Sequence, residues 1–137
     1  MADQNKRIKE IIKILRKEYP NSQTALHYQT PFQLLVATIL SAQCTDERVN
    51  KVTPELFKRY PRLEDLAQAR QQEVEAIIKS TGFYRNKARN IINTARMLKE
   101  QYQGRVPDRM EELIKLPGVS RKTANIILSQ IFRKAAG

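Results

Sequence analysis

Leu116-Pro-Gly-Val-Ser-Arg-Lys-Thr-Ala-Asn-Ile-Ile-Leu128 is the stretch that decides how this chain is read. An apolar residue, a Pro-Gly turn and then an apolar-periodic segment predict two helices joined by a tight turn. Gly118 has no Cβ, so the turn can take a positive φ and present backbone amides to an anion. The helix that starts at Ser120 or Arg121 adds its free first-turn amides to the same place. Such contacts read phosphate and no base, so the motif predicts sequence-independent binding of a nucleic-acid backbone. Lys122 is the odd residue, because the positive end of a helix dipole disfavours a cation.

Working outward, the rest of the chain is helical in pattern. Ile8, Ile11, Ile12, Leu15 and Tyr19 form an apolar stripe that Pro20 ends. Thr30-Pro31 reads as an N-cap followed by proline at the first helical position. It opens the almost wholly apolar segment from Phe32 to Leu40, the expected central helix. Thr45 is expected to cap a helix running to about Tyr60. Shorter helices are expected near 63–69 and 72–80, the second closed by Gly82, and a longer one over 86–102. Asp108 and Glu111 have the spacing of a capping box for a short helix ending near Leu116. The last helix is expected from Arg121 to about Arg133. No strand-like alternation persists. The expectation is an all-α, compact, multi-helix, barrel-like domain over 21–137, with a helix–hairpin–helix at about 109–133 and a separate N-terminal helix over 1–20.

Composition narrows the partners. The 137 residues carry a net charge of +11, and residues 83–137 hold twelve Lys/Arg against four Asp/Glu. A basic half invites a polyanion. A solvated basic face kept for solubility would give the same counts. One cysteine and one histidine leave no ligand set for a structural metal. No apolar run is long enough to span a bilayer, and no secretory segment opens the chain, so a cytoplasmic, nucleoid-associated protein without a membrane partner is expected.

The hairpin string resembles that of the endonuclease III family, helix–hairpin–helix DNA glycosylases with AP lyase activity. Leu40-Ser-Ala-Gln-Cys-Thr-Asp46, Gly82-Phe-Tyr-Arg-Asn-Lys-Ala-Arg-Asn90 and Gly104-Arg-Val-Pro107 resemble the same family in order and spacing. The resemblance implies base excision repair of oxidised pyrimidines in damaged double-stranded DNA. Lys122 would be the nucleophile that forms a Schiff base with the sugar before β-elimination. A protonated lysine is a poor nucleophile, so the site must supply free amine; the helix N-terminus, Arg121 and partial burial would all help. On residue type alone, Lys122 simply pairs with a phosphate.

The resemblance also assigns DNA contacts. Gln43 takes the place of a gap-filling glutamine, and Phe83 that of a bulky wedge, with Tyr84 beside it. Arg85, Lys87 and Arg89 would flank the lesion as phosphate contacts, and Leu116, Gly118, Val119, Ser120, Arg121 and Thr123 would form the hairpin grip. Flipping a base out of the stack costs a few kcal/mol, which side chains filling the gap offset. Read from residue type alone, Phe83 and Tyr84 belong in a core, Gln43 at a helix C-terminus, and Arg85, Lys87 and Arg89 on a solvated helix start.

Three departures from the family pattern set further expectations. Ser120 stands where a second hairpin glycine is usual; a positive φ there would be strained, and its hydroxyl could bond a phosphate instead. No Asp or Glu follows Glu112, so the family's catalytic aspartate has no counterpart. The four cysteines of the family's [4Fe–4S] cluster are absent, so no cofactor is expected. The chain then reads as a cut-short enzyme of weak or no activity, or as a non-catalytic helix–hairpin–helix module that binds duplex DNA. The N-terminal stripe would be left to self-association.

Overall fold

A computed structural model of the chain describes residues 24–133. The expected helix over 1–20 lies outside the described residues. Among those described there are seven α-helices: α1 Pro31–Leu40, α2 Asp46–Arg59, α3 Leu63–Ala67, α4 Gln71–Ile78, α5 Tyr84–Gln101, α6 Met110–Leu113 and α7 Arg121–Gln130. A 3₁₀ turn, Lys79–Thr81, follows α4.

Local chemistry explains the first two helices. Thr30 accepts a hydrogen bond from the Gln33 amide at 3.1 Å, and Pro31 occupies a position that needs no N–H. Gln33 in turn accepts from the Gln29 amide at 2.8 Å, which fixes the entry of the chain. Thr45 caps α2 by accepting from the Arg48 amide at 3.1 Å. Asp46 and Glu47 sit in its first turn and Lys58 and Arg59 in its last, each on the side the helix dipole favours.

Every side chain from Leu34 to Leu40 is buried, which makes α1 the central helix that its composition predicts. Helices α2, α5 and α7 pack around it, while α3 and α4 pack on α5 and α6 on α7. The single core runs through Leu56, Leu66, Ile78, Ile91, Leu98, Leu113, Leu116 and Ile127, all fully buried. Each such side chain contributes about 1.5–3 kcal/mol when removed from water. The lone buried hydroxyl of α1, on Thr38, donates to the Leu34 carbonyl at 2.6 Å. No helix among the described residues is long and apolar enough to cross a membrane.

Several boundaries differ from expectation: α3, α4 and α6 end two or three residues early, at Ala67, Ile78 and Leu113, and three further differences have visible causes. Helix α5 starts at Tyr84, because Phe83 takes the N-cap position in a left-handed conformation. Arg109, extended at φ −125°, is the N-cap residue in place of Asp108, and α6 begins one residue later than the Asp108–Glu111 spacing predicts. Glu112 then occupies the third helical position and approaches the Arg109 guanidinium at 4.0 Å. Helix α7 ends at Gln130, three residues early, as the chain turns towards Arg133 at φ +54°.

Candidate nucleic-acid interface

The hairpin is α6, the turn through Pro117-Gly118-Val119, and α7. Gly118 has φ +80°, as its place in the turn demands. Its missing side chain serves a second purpose. A Cβ there would lie 3.0 Å from Asn90 Cβ and Nδ2 and 3.1 Å from Ile39 Cγ2. The space spared by glycine is therefore taken by α5 and α1, not by a ligand. The turn is tied to α5 a second time, where the Thr94 hydroxyl donates to the Pro117 carbonyl at 2.9 Å.

Ser120 behaves differently from expectation. Its φ is −84°, so no strain arises, and its Oγ is engaged as the N-cap of α7, accepting from the Thr123 amide at 3.2 Å. The same Oγ donates to Thr123 Oγ1 at 3.2 Å. The Ser120 hydroxyl thus orders the helix start, and the amides of Arg121 and Lys122 lie ahead of any helical acceptor. Arg121 and Lys122 are both exposed in that first turn; partial burial of Lys122 does not occur. Leu116, Val119 and Thr123 are buried, so from these three positions only backbone can reach a ligand. Lys115 adds an exposed cation beside the turn.

The second region comprises two short turns. After α1 the chain passes its cap Ser41 and reaches Gln43 at φ +54°, exposed. After the 3₁₀ turn, Gly82 at φ +76° leads to Phe83 at φ +45°. Both Gln43 and Phe83 carry a Cβ in a region that costs about 1–2 kcal/mol for such residues. Phe83 is 63% exposed, the most exposed large hydrophobic side chain among the described residues. It does not enter the core. Tyr84 does lean on the core, and its ring is flanked by Lys79 Nζ at 5.9 Å and Arg85 Cζ at 5.8 Å from the centroid. Phe83, Tyr84, Arg85 and Asn86 line one shallow cleft. Arg85 and Arg89 are exposed, and Arg89 donates to Asn86 Oδ1.

Lys87 departs most from expectation. It is 4% exposed and cannot meet a phosphate in this structure. Its Nζ donates to the Leu40 carbonyl and to the Thr81 carbonyl, each at 2.8 Å. Burial pushes its pKa below the usual lysine value, an effect partly opposed by Cys44 nearby. Lys87, Asn90 and Thr94 share one face of α5, at helical spacings of three and four. That face reaches the end of α1, the 3₁₀ turn and the hairpin turn. Sequence reasoning passed over Asn90 and Thr94; the available signal was a polar residue on the otherwise apolar stripe of Ala88, Ile91, Ala95 and Leu98.

A second groove is lined by His27, Tyr28, Gln33, Pro54, Phe57 and their neighbours, and none of the candidate residues borders it. Cys44 is the chain's single cysteine, so these residues do not fit a four-thiolate iron–sulfur cluster. No group of three or more His, Cys, Asp or Glu among the described residues could hold a metal ion.

This geometry has close counterparts. The family pattern described as HhH-GPD superfamily base excision DNA repair protein matches residues 36–133. Endonuclease III of Synechocystis sp. is 59% identical over all of this chain, which covers 63% of that protein. Endonuclease III of Bacillus subtilis is 49% identical over 83% of this chain, covering 52% of that protein. The chain thus spans between half and two thirds of the length of these curated relatives. Among solved structures, a trapped endonuclease III–DNA covalent intermediate superposes with a TM-score of 0.79 at 45% identity, over 93% of this chain and 60% of that one. A thermostable thymine-DNA glycosylase superposes with a TM-score of 0.75 at 25% identity, over 96% and 62%.

Proposed function

Because this chain belongs to the HhH-GPD superfamily of base excision DNA repair proteins, we propose that it binds damaged duplex DNA at the nucleoid. There it would work as a DNA glycosylase with β-lyase activity on oxidised pyrimidines. The single observation that carries the reading is a lysine, Lys122, placed in the first turn of α7 directly after the Gly118 turn. A backbone phosphate held by the free amides of α7 would bring the sugar of a neighbouring nucleotide to that amine. The unprotonated amine attacks C1′, the base leaves, and a Schiff base joins Nζ to the opened sugar. Loss of a C2′ proton then expels the 3′ phosphate. Phe83 would press into the stack from its exposed turn while Gln43 fills the vacated space, offsetting the cost of extruding the base. Arg85, Arg89, Arg121 and Lys115 would neutralise phosphates around the lesion.

The test is borohydride trapping on a duplex with a single abasic site, comparing the chain with Lys122→Ala at low salt. A covalent adduct from the wild type alone is the expected outcome. Equal DNA binding by both proteins with no adduct from either would sink the catalytic reading. That result would leave the second reading, a module that grips duplex DNA without turnover. One observation favours it: Lys122 is exposed rather than half buried, which suits pairing with a phosphate.

A further inference from the structure

Lys87 is the one charged side chain among the buried residues described. A buried ammonium is costly and persists only where strong acceptors meet it. Here both acceptors are carbonyls at the ends of helical segments. Leu40 is the last residue of α1, and Thr81 the last of the 3₁₀ turn. Such carbonyls lack helical donors and carry the negative end of the backbone dipoles, so one cation satisfies two helix ends at once. The segments that leave those two carbonyls are the strained turns. Gln43 follows Leu40 by three residues, Phe83 follows Thr81 by two, and both hold positive φ with their side chains out in solvent. Strained turns persist only when their surroundings over-determine them.

The geometry points to Lys87 as a positioning residue that sets the spacing between Gln43 and Phe83. It touches no DNA itself and acts by clamping the two turns from below. The inference rests on the lesion-binding reading above, in which those two side chains enter the stack. It assigns the clamp to hydrogen bonding and charge, not to the volume of the side chain.

The test uses the 137-residue chain and two readouts. The first is amide hydrogen exchange without DNA. In Lys87→Met, which keeps most of the aliphatic stem and removes the donors, exchange should accelerate in both 41–45 and 81–86 while the hairpin over 114–123 is unchanged. The second is the ratio of affinities for a duplex with a tetrahydrofuran abasic site and for the same duplex undamaged. That ratio should fall roughly tenfold in Lys87→Met, because a small misplacement of a probing group is expensive. Binding to undamaged duplex should stay within about twofold. Lys87→Arg, whose guanidinium can still donate to two carbonyls, should recover most of the ratio. Lys87→Gln, uncharged and shorter, should fall between Arg and Met, and serves if Met fails to give a cooperative melt.

Unchanged exchange in both turns would overturn the clamp. So would faster exchange with the wild-type ratio intact, or equal rescue by Met and Arg, which would mean that only volume matters. A wild-type chain with no preference for the abasic duplex overturns the lesion reading itself. It is seen before any variant is made, while the exchange data still report on the clamp separately.

Discussion

The hairpin turn and the paired turns at Gln43 and Phe83 solve opposite problems. In the hairpin, every demanding backbone position is held by a residue suited to it. Gly118 takes the positive φ, Ser120 sits unstrained as an N-cap, and Thr94 binds the Pro117 carbonyl. In the paired turns the positive φ falls on a glutamine and a phenylalanine, although Gly82 immediately precedes the latter. A turn selected for stability alone would place glycine there. The hairpin presents backbone and needs no particular side chain at its tip, whereas the turns present side chains and accept strain to aim them. On the function proposed above, the first arrangement would suit gripping a phosphate and the second probing a base stack.

The sharpest way to break this contrast is at Gly118. Gly118→Ala adds a Cβ at 3.0 Å from Asn90 and forces an L-residue to φ +80°. Overpacking and strain together should destabilise the fold by about 3 kcal/mol in urea denaturation. Gly104→Ala, at φ +78° with nothing within 4 Å, is its control and should lose only about 1 kcal/mol. Equal losses at the two positions would mean that contact with α5 does not matter.

Phe83→Gly reverses the sign. Phe83 is largely exposed and strained, so glycine should leave stability unchanged or raise it by up to about 1 kcal/mol. The same variant should lose its preference for abasic over undamaged duplex. A clear fall in melting temperature would show that the ring is a packing element after all.

The smallest effect concerns protons. The folded-state pKa of Lys87 lies below its unfolded value, so the folded chain binds fewer protons across the interval between them. Stability contributed by this group is therefore present above the unfolded pKa and lost as pH falls through the folded one. The stability difference, wild type minus Lys87→Met, should rise as pH climbs towards the ordinary lysine value of 10.5. Tyr60, whose pKa is raised mainly by burial, loses stability over the alkaline range but does so in both proteins and cancels. A flat difference would mean that the ammonium is not desolvated.

The elements set by nearest neighbours were legible from residue order. Thr30-Pro31 and Thr45 each cap the helix expected of them, and the apolar run after Phe32 is the buried centre. Those signals act over three or four residues. What was illegible depends on partners far along the chain. Helical phase places Lys87 four residues before the buried Ile91, on the inner face that Arg85 and Arg89 avoid, but the acceptor that receives its charge, at Leu40, lies 47 residues away and leaves no local trace. Phe83 looks like a core residue until the turn that expels it is known. Ser120, read against a glycine pattern, hid the plainer role of an N-cap, and Arg109 displaced Asp108 at the start of α6.

The face of α5 that carries Lys87, Asn90 and Thr94 gives the interface a built-in ruler. Seven residues of helix separate the tie to the paired turns from the tie to the hairpin, a rise of roughly 10 Å. That length equals about three nucleotide steps along one strand of duplex DNA. Lengthening α5 by a single residue between Lys87 and Thr94 would rotate one anchor by roughly 100° relative to the other. On the function proposed above, the turns at Gln43 and Phe83 and the hairpin could then no longer serve the same stretch of strand.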